Sequence, residues 1–296
     1  MQKICTLIIA CFFLNQAISQ EQGIYRHYTI YPTLINPGAT GINEGQHEFI
    51  GNMVNTWSGS EGTPVNYTFG YSGSFGKSVG LGLQLMNETN AAISRFKASI
   101  AYAYKVKFDN AIFSVGMTTE FQQKRLRNGI LNDPSIDPTD AYLLAANDGV
   151  KFFDFGLGIH AKINQTLTLG VALPNMVHTY ITKPEIASTE DQKYLGNFVG
   201  YLSNRFKVND FDFEVEPGIA VRKVSAGDGS APLLGDVNVT GYFLDNRLTG
   251  GLSYHFGAGQ SGGGVLLGKC SIRCLYIIVS IYIQVITNHT ITENMK

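Results

Sequence analysis

Two glycine-rich strings near the C-terminal end are the parts of this chain that most resemble a nucleotide site. Residues 257–262 spell G-x-G-x-x-G after a strand-like pattern, but no helix pattern follows them and no βαβ unit surrounds them. A dinucleotide site needs both, because the phosphates lie at the start of the helix. Residues 263–269 spell G-x4-G-K, yet Cys270 replaces the Ser or Thr of a phosphate-binding loop. We interpret the first string as a flexible loop and the second as part of a strand.

Other residues with chemical potential also stand on strand-like patterns. His160 shares a polar face with Asp154 and Lys162, a set that suits acid–base chemistry but also simple hydrogen bonding. An acidic row at residues 212–216 could bind a cation, although one solvated strand face explains it more simply. A lone C-x3-C at 270–274 lacks the second ligand pair of a zinc site. We therefore predict no enzyme, no catalytic residue, no metal site and no cofactor.

The strongest structural pattern is a hairpin at residues 96–122. From Phe96 to Phe108 every second residue is apolar, and the residues between them are small or charged. Asp109 and Asn110 form a turn, and the return strand from Phe113 alternates in the same way. A period of two with one apolar row predicts strands with one face in an apolar medium. Each strand is long enough to cross a bilayer, which takes roughly 9–11 tilted residues.

Similar hairpins recur along the chain, and their connections alternate in length. Short connections are predicted at 76–78, 109–110, 164–165, 209–210 and 244–246, and longer ones at 57–64, 87–92, 123–149, 174–195, 224–231 and 257–263. Short periplasmic turns and longer external loops are typical of outer-membrane barrels. We predict an all-β fold, an antiparallel transmembrane β-barrel of the outer membrane with about 12–14 strands. It would span residues 44–287, with its charged side chains in a wet lumen.

The composition and the start of the chain agree with an exported membrane protein. Charged residues make up 15% of the 296 residues, against about 25% in an average protein. The formal net charge of −1 does not favour a nucleic-acid partner, and we predict none. Residues 1–19 have the basic start, apolar run and small-residue cleavage site of a signal peptide, although residues 8–11 also resemble a lipoprotein cleavage box.

Residues 20–43 and 269–296 depart from the strand pattern. The first range contains Pro32 and Pro37, which exclude a central strand or a helix interior, and we predict a periplasmic or lumenal lead-in segment. The second range is an atypical tail, because residues 275–286 are apolar on both faces. This tail puts closure of the barrel in question.

Several short segments resemble the PorP/SprF family. Its opening is matched by Tyr31–Gly38, which contains Leu-Ile-Asn-Pro, and then by Asn55–Gly59 and Gly62–Pro64. Further matches follow in the family's order at Val79–Leu83, Ala101–Lys105, Asp154–Gly158, Leu169–Asn175 and Glu216–Arg222. The resemblance covers residues 24–268, and the sequence after Gly268 departs from it.

The resemblance implies an outer-membrane component of the type IX secretion system of Bacteroidetes. Such proteins anchor secretion-motor and periplasmic components, or help to export and display gliding adhesins and other secreted proteins. The implied partners are the lipid bilayer, other type IX components, and secreted proteins or adhesins. We predict a partner contact or a plug at Leu34, Ile35, Asn36, Pro37 and Trp57. The alternative is an outer-membrane porin or a transporter of hydrophobic substrates, which would need an open lumen.

Overall fold

The computed structural model of the chain describes residues 28, 30–55, 65–90, 92–127, 147, 149–182, 197–208, 213–223, 233–244, 247–257, 260–272 and 275–283. Two 3-10 helices, Pro32–Leu34 and Pro37–Ala39, precede fourteen strands. The strands are β1 His47–Asn55, β2 Val65–Phe75, β3 Val79–Asn90, β4 Ile93–Lys107, β5 Ala111–Leu126, β6 Val150–Ile163, β7 Leu167–Thr182, β8 Phe198–Asn204, β9 Phe206–Val208, β10 Phe213–Lys223, β11 Leu234–Phe243, β12 Leu248–Gly257, β13 Gln260–Ile272 and β14 Leu275–Ile283. None of the helical segments in this described part has the length and hydropathy needed to cross a bilayer.

The strands form one sheet whose pairings return to their starting point. Successive strands pair antiparallel, and β8 and β9, separated by Arg205, both pair with β10. The fourteen strands therefore occupy thirteen positions, and the ladder continues from β10 to β11 and from β14 to β1. An odd number of alternating positions leaves β1 and β14 running in the same direction, and they pair in parallel over Phe49–Met53. The predicted all-β, antiparallel barrel fold is confirmed, whereas this parallel seam was not expected.

The two faces of the sheet differ in chemistry as the alternation predicts. On β4 and β5 the side chains of Ile100 and Val115 are 66% and 58% exposed, whereas Lys105 on the other face is 3% exposed. Among the strand residues whose burial is described, the exposed row is dominated by large apolar side chains, and the buried row contains most of the polar ones. An apolar outer face and a polar inner face are the arrangement of a barrel in lipid.

Three predicted loop positions are wrong. The connection at 87–92 is only two residues long, because β3 runs to Asn90 and β4 begins at Ile93. Its polar residues looked like a loop, but Glu88 and Arg95 lie opposite each other in the ladder and form a 3.1 Å ion pair on the buried face. The strict alternation of short and long connections therefore fails there.

The other two corrections concern a proline and a glycine string. Pro174 does not begin a loop, since β7 continues to Thr182 past a register shift opposite Phe155–Leu157. A bulge tolerates a proline within a sheet, because the residue there is not needed as a ladder donor. Strand β13 begins at Gln260, so part of the string expected as a loop at 257–263 is also strand. The second glycine string, at 263–269, lies within β13, in agreement with our interpretation.

Candidate functional site

Residues 30–45, named here the inner segment, lie against the buried polar face of the sheet. Each of its two 3-10 helices begins with a proline, at Pro32 and Pro37. Proline suits this position because its fixed φ matches the start of a helix. It also lacks a backbone N–H, and an N–H at this position would have no partner within the helix. The second turn contacts β4, β5, β6 and β7.

Asn36 is the most completely bonded side chain of the inner segment. It is fully buried, and its Nδ2 donates to the backbone oxygen of Ile159 at 2.9 Å and to the hydroxyl of Tyr201 at 3.1 Å. Its Oδ1 accepts from the backbone N–H of Gly38 at 2.8 Å and so caps the second 3-10 turn. One amide group therefore fixes the shape of the inner segment and joins it to β6 and β8.

The polar residues that suggested acid–base chemistry do not converge on one another. His160 is buried, and its Nδ1 lies 2.6 Å from the hydroxyl of Tyr201, the same hydroxyl that accepts from Asn36. Asp154 accepts from the neighbouring backbone N–H of Phe155 at 2.7 Å, and Lys162 donates to the inner segment. The arrangement serves to hold chain segments together. Among the described residues, no three His, Cys, Asp or Glu side chains are grouped as metal ligands would be.

Glycines in the strands leave room for the inner segment. A Cβ at Gly158 would lie 2.0 Å from Oδ1 of Asn36, and one at Gly80 would lie 2.0 Å from the backbone oxygen of Thr40. A Cβ at Gly116 would lie 2.3 Å from the backbone of the same segment. These distances are far below any van der Waals contact, so the inner segment can lie this close to the strands only with glycine at all three positions.

The end of the inner segment nearest β1 is joined to two further strands. Lys105 on β4 donates to the backbone oxygen of Gly41 and, at 2.6 Å, to the hydroxyl of Ser74. The N–H of Gly41 donates to the hydroxyl of Ser72 at 2.8 Å. Gly41 has a φ of 61°, a left-handed conformation that glycine adopts without strain.

The last residues before β1 make polar contacts with charged side chains. Asn43 donates to Glu48 at 2.8 Å and accepts from Lys162 at 3.3 Å. Glu44 pairs with Lys107 at 2.8 Å, and this hydrogen bond holds the pKa of Glu44 below its ordinary value. Both partners are well exposed, so the pair contributes less than a buried one would.

Apolar contacts also hold the inner segment against the strands. Tyr31 packs with Ile50, Ile30 and Leu34, and its hydroxyl donates to the backbone oxygen of Glu48 at 3.1 Å. Burial raises the pKa of Tyr31, so the hydroxyl stays a neutral donor. A second cluster joins Tyr28 to the sheet residues Val199, Tyr201 and Ala220, with Ile35 packed against it.

The predicted site residues fall into two groups. Leu34, Ile35, Asn36 and Pro37 lie together on the inner segment, and Trp57 lies outside the described residues. The sequence did not predict the partners of the inner segment. These are Tyr201, Lys105 and the three glycines at 80, 116 and 158. Glycines on the polar rows of successive strands were a usable signal, because such positions mark close approach of another backbone.

A ring of paired strands with an apolar outer face, a polar inner face and an N-terminal segment along that inner face defines a membrane β-barrel protein with an occupied lumen. A family model described as the type IX secretion system membrane protein PorP/SprF matches residues 17–286. The chain therefore belongs to the PorP/SprF family and is a membrane component of that secretion system. No curated protein matches the chain in a direct search.

Proposed function

We propose that the chain acts in the outer membrane as a scaffold of the type IX secretion and gliding machinery. It holds periplasmic partners of that machinery, or assists the export and surface display of secreted proteins. Membership of the family supports the role in secretion, and the membrane-barrel fold supports the outer membrane, because closed barrels are one of the two architectures that can span lipid. The signal-peptide pattern of residues 1–19 supports export.

The observation that carries the scaffold role is the bonding of Asn36 to β6 and β8 on the buried face of the sheet. A diffusion porin needs a continuous aqueous path. The bonds that the inner segment makes at Asn36, Gly41, Asn43 and Glu44 support a segment held inside the barrel, in the way of such a path. We propose that it acts as a plug, so the protein works through the surfaces that it presents and conducts little.

A deletion strain and purified protein test this proposal together. Deletion is expected to block protein export while the uptake of small solutes stays unchanged, and the protein in planar bilayers is expected to show little steady conductance. Alanine at both Asn36 and Pro37 should weaken partner capture or export while the barrel stays folded. Thr33→Ala is the matched control, because this side chain on the same segment makes no hydrogen bond among the described residues.

The porin or transporter alternative predicts the reverse. A large steady conductance of the wild-type protein, with normal export in the deletion strain, would support that alternative and overturn the scaffold proposal. Affinity capture from outer membranes followed by mass spectrometry identifies the partner. Capture of other secretion components by the wild type, reduced in the Asn36 and Pro37 double variant, is the expected result.

A further inference from the structure

A cavity of about 130 Å³ lies beside the inner segment. Tyr31, Leu34 and Ile35 of the inner segment form one of its walls. Small or apolar residues of the strands form much of the opposite wall, including Gly70, Gly82, Ala101, Ala172, Val199 and Ala220. Leu34 and Ile35 remain half-buried although they lie inside the barrel, because part of each side chain faces this space.

The volume of the cavity sets the size of a ligand. An apolar protein cavity of about 150 Å³ takes up benzene, and a single water needs far less space. At about 130 Å³, the cavity accommodates one six-membered ring or a branched aliphatic group of similar size. The cavity is partly open, so a lipid acyl chain or a fused double ring would extend beyond it.

The charges around the cavity determine which ligand is favoured. Arg95 is paired with Glu88 at 3.1 Å, and Lys97 is paired with Glu120 at 3.4 Å. The third cation on the wall, Arg222, is paired with Asp236 at 2.9 Å in the same way. Each cation of the wall is thus already neutralised by a neighbouring carboxylate.

A charged ligand would gain no unpaired counter-charge here and would lose its hydration. Moving an ion out of water without a partner is strongly unfavourable, whereas an apolar ring gains by leaving water. The wall therefore discriminates against ions of either sign.

We propose that this cavity is a binding site for a small, neutral, apolar molecule of about the size of one aromatic ring. The site lies between the inner segment and the strands, so an occupant contacts both. This inference stands apart from the secretion role, since it rests on the cavity and its ion pairs alone.

Fluorine NMR of the full-length protein in lipid nanodiscs tests the site, with fluorobenzene as the probe and empty nanodiscs as the blank. Saturable binding to the wild type is expected. Ala101→Leu places three further carbons in the cavity and should abolish that binding. Gly200→Ala is the matched control, because its added methyl group meets no atom within 4 Å and lies outside the cavity.

Two further measurements test how the size of the cavity and the charge of the ligand affect binding. Leu34→Ala enlarges the cavity and should strengthen the binding of fluoronaphthalene relative to that of fluorobenzene. Fluorobenzoate and fluorobenzylammonium should not compete with fluorobenzene. The proposal is overturned if the wild type binds no probe above the blank, if Ala101→Leu binds as well as the wild type with its strand amides still protected, or if either ion competes.

Discussion

Replacing Asn36 by Ala should release the inner segment from the barrel without unfolding the sheet. The side chain is fully buried and makes three hydrogen bonds, two as donor and one as acceptor. Loss of a capping side chain costs about 1 kcal/mol. A buried partner left unsatisfied costs about 1–3 kcal/mol, but here Tyr201 keeps its contact with His160 and Ile159 keeps its place in the ladder. We expect a total cost of about 2–3 kcal/mol on the docking of the segment.

Hydrogen exchange with mass spectrometry measures this cost in lipid nanodiscs. Because each 1.4 kcal/mol is tenfold in an equilibrium constant, the exchange of peptides from residues 30–45 should accelerate by about 30- to 150-fold. Peptides from β5 and β6 should keep their protection, since the ladder bonds are untouched. Thr33→Ala on the same segment should exchange as the wild type does.

A pair of glycine variants tests the same contact from the side of the sheet. Gly158→Ala places a Cβ 2.0 Å from Oδ1 of Asn36 and should displace that side chain, with the same acceleration of exchange. Gly200→Ala adds a methyl group that meets nothing within 4 Å and should leave exchange unchanged. The reasoning is refuted if Asn36→Ala leaves the inner segment protected, or if β6 and β8 lose protection to the same extent as the segment.

Three further predictions concern the outer face, the pH and the orientation. Ile100→Arg on the exposed apolar face should cost about 2–4 kcal/mol of stability in a bilayer if the residue lies near its midplane, measured by urea unfolding in liposomes. Because the pKa of Glu44 is lowered in the folded protein, its contact with Lys107 stabilises the segment above the ordinary pKa of a glutamate and is lost as the pH falls through the lowered value. NMR titration should return that pKa to its ordinary range in Lys107→Ala, and an unchanged pKa would contradict the assignment. Cysteine at Ser135 should be labelled on intact cells and cysteine at Asp109 only after the outer membrane is permeabilised; the opposite pattern would reverse the proposed orientation.

The strands were predictable because a period of two reports directly which face is apolar. The hairpin at residues 96–122 appears in the structure with its exposed and buried rows as expected. Polar residues at a strand end were misread as a loop at residues 87–92. Single-residue chemistry does not reveal that Glu88 will face Arg95 across the ladder. The bulge that accepts Pro174 is a property of the paired strand and is equally invisible in a local pattern.

The contacts of the inner segment were only partly predictable. The prolines and Asn36 marked an ordered segment, but its partners are far away in sequence, 123 residues for Ile159 and 165 for Tyr201. Lys105 was expected, like the other charged side chains, to lie in a wet lumen, yet it is buried and bonded to the inner segment. Its removal should therefore weaken the docking of the segment, which alternation alone does not indicate.

The polar inner face explains why the inner segment can be separated from the barrel. A soluble domain fixes an internal segment with apolar packing, but here the largest apolar surface faces outward, so the ties of the segment are mainly hydrogen bonds. Each such bond contributes a net of about 0.5–1.5 kcal/mol, whereas the strands are joined by continuous ladders that fail together. The segment is therefore expected to open before the sheet does. If the segment is the plug that we propose, Asn36→Ala raises the conductance of a folded barrel, and conductance and export measured on that single variant distinguish a plugged scaffold from a porin.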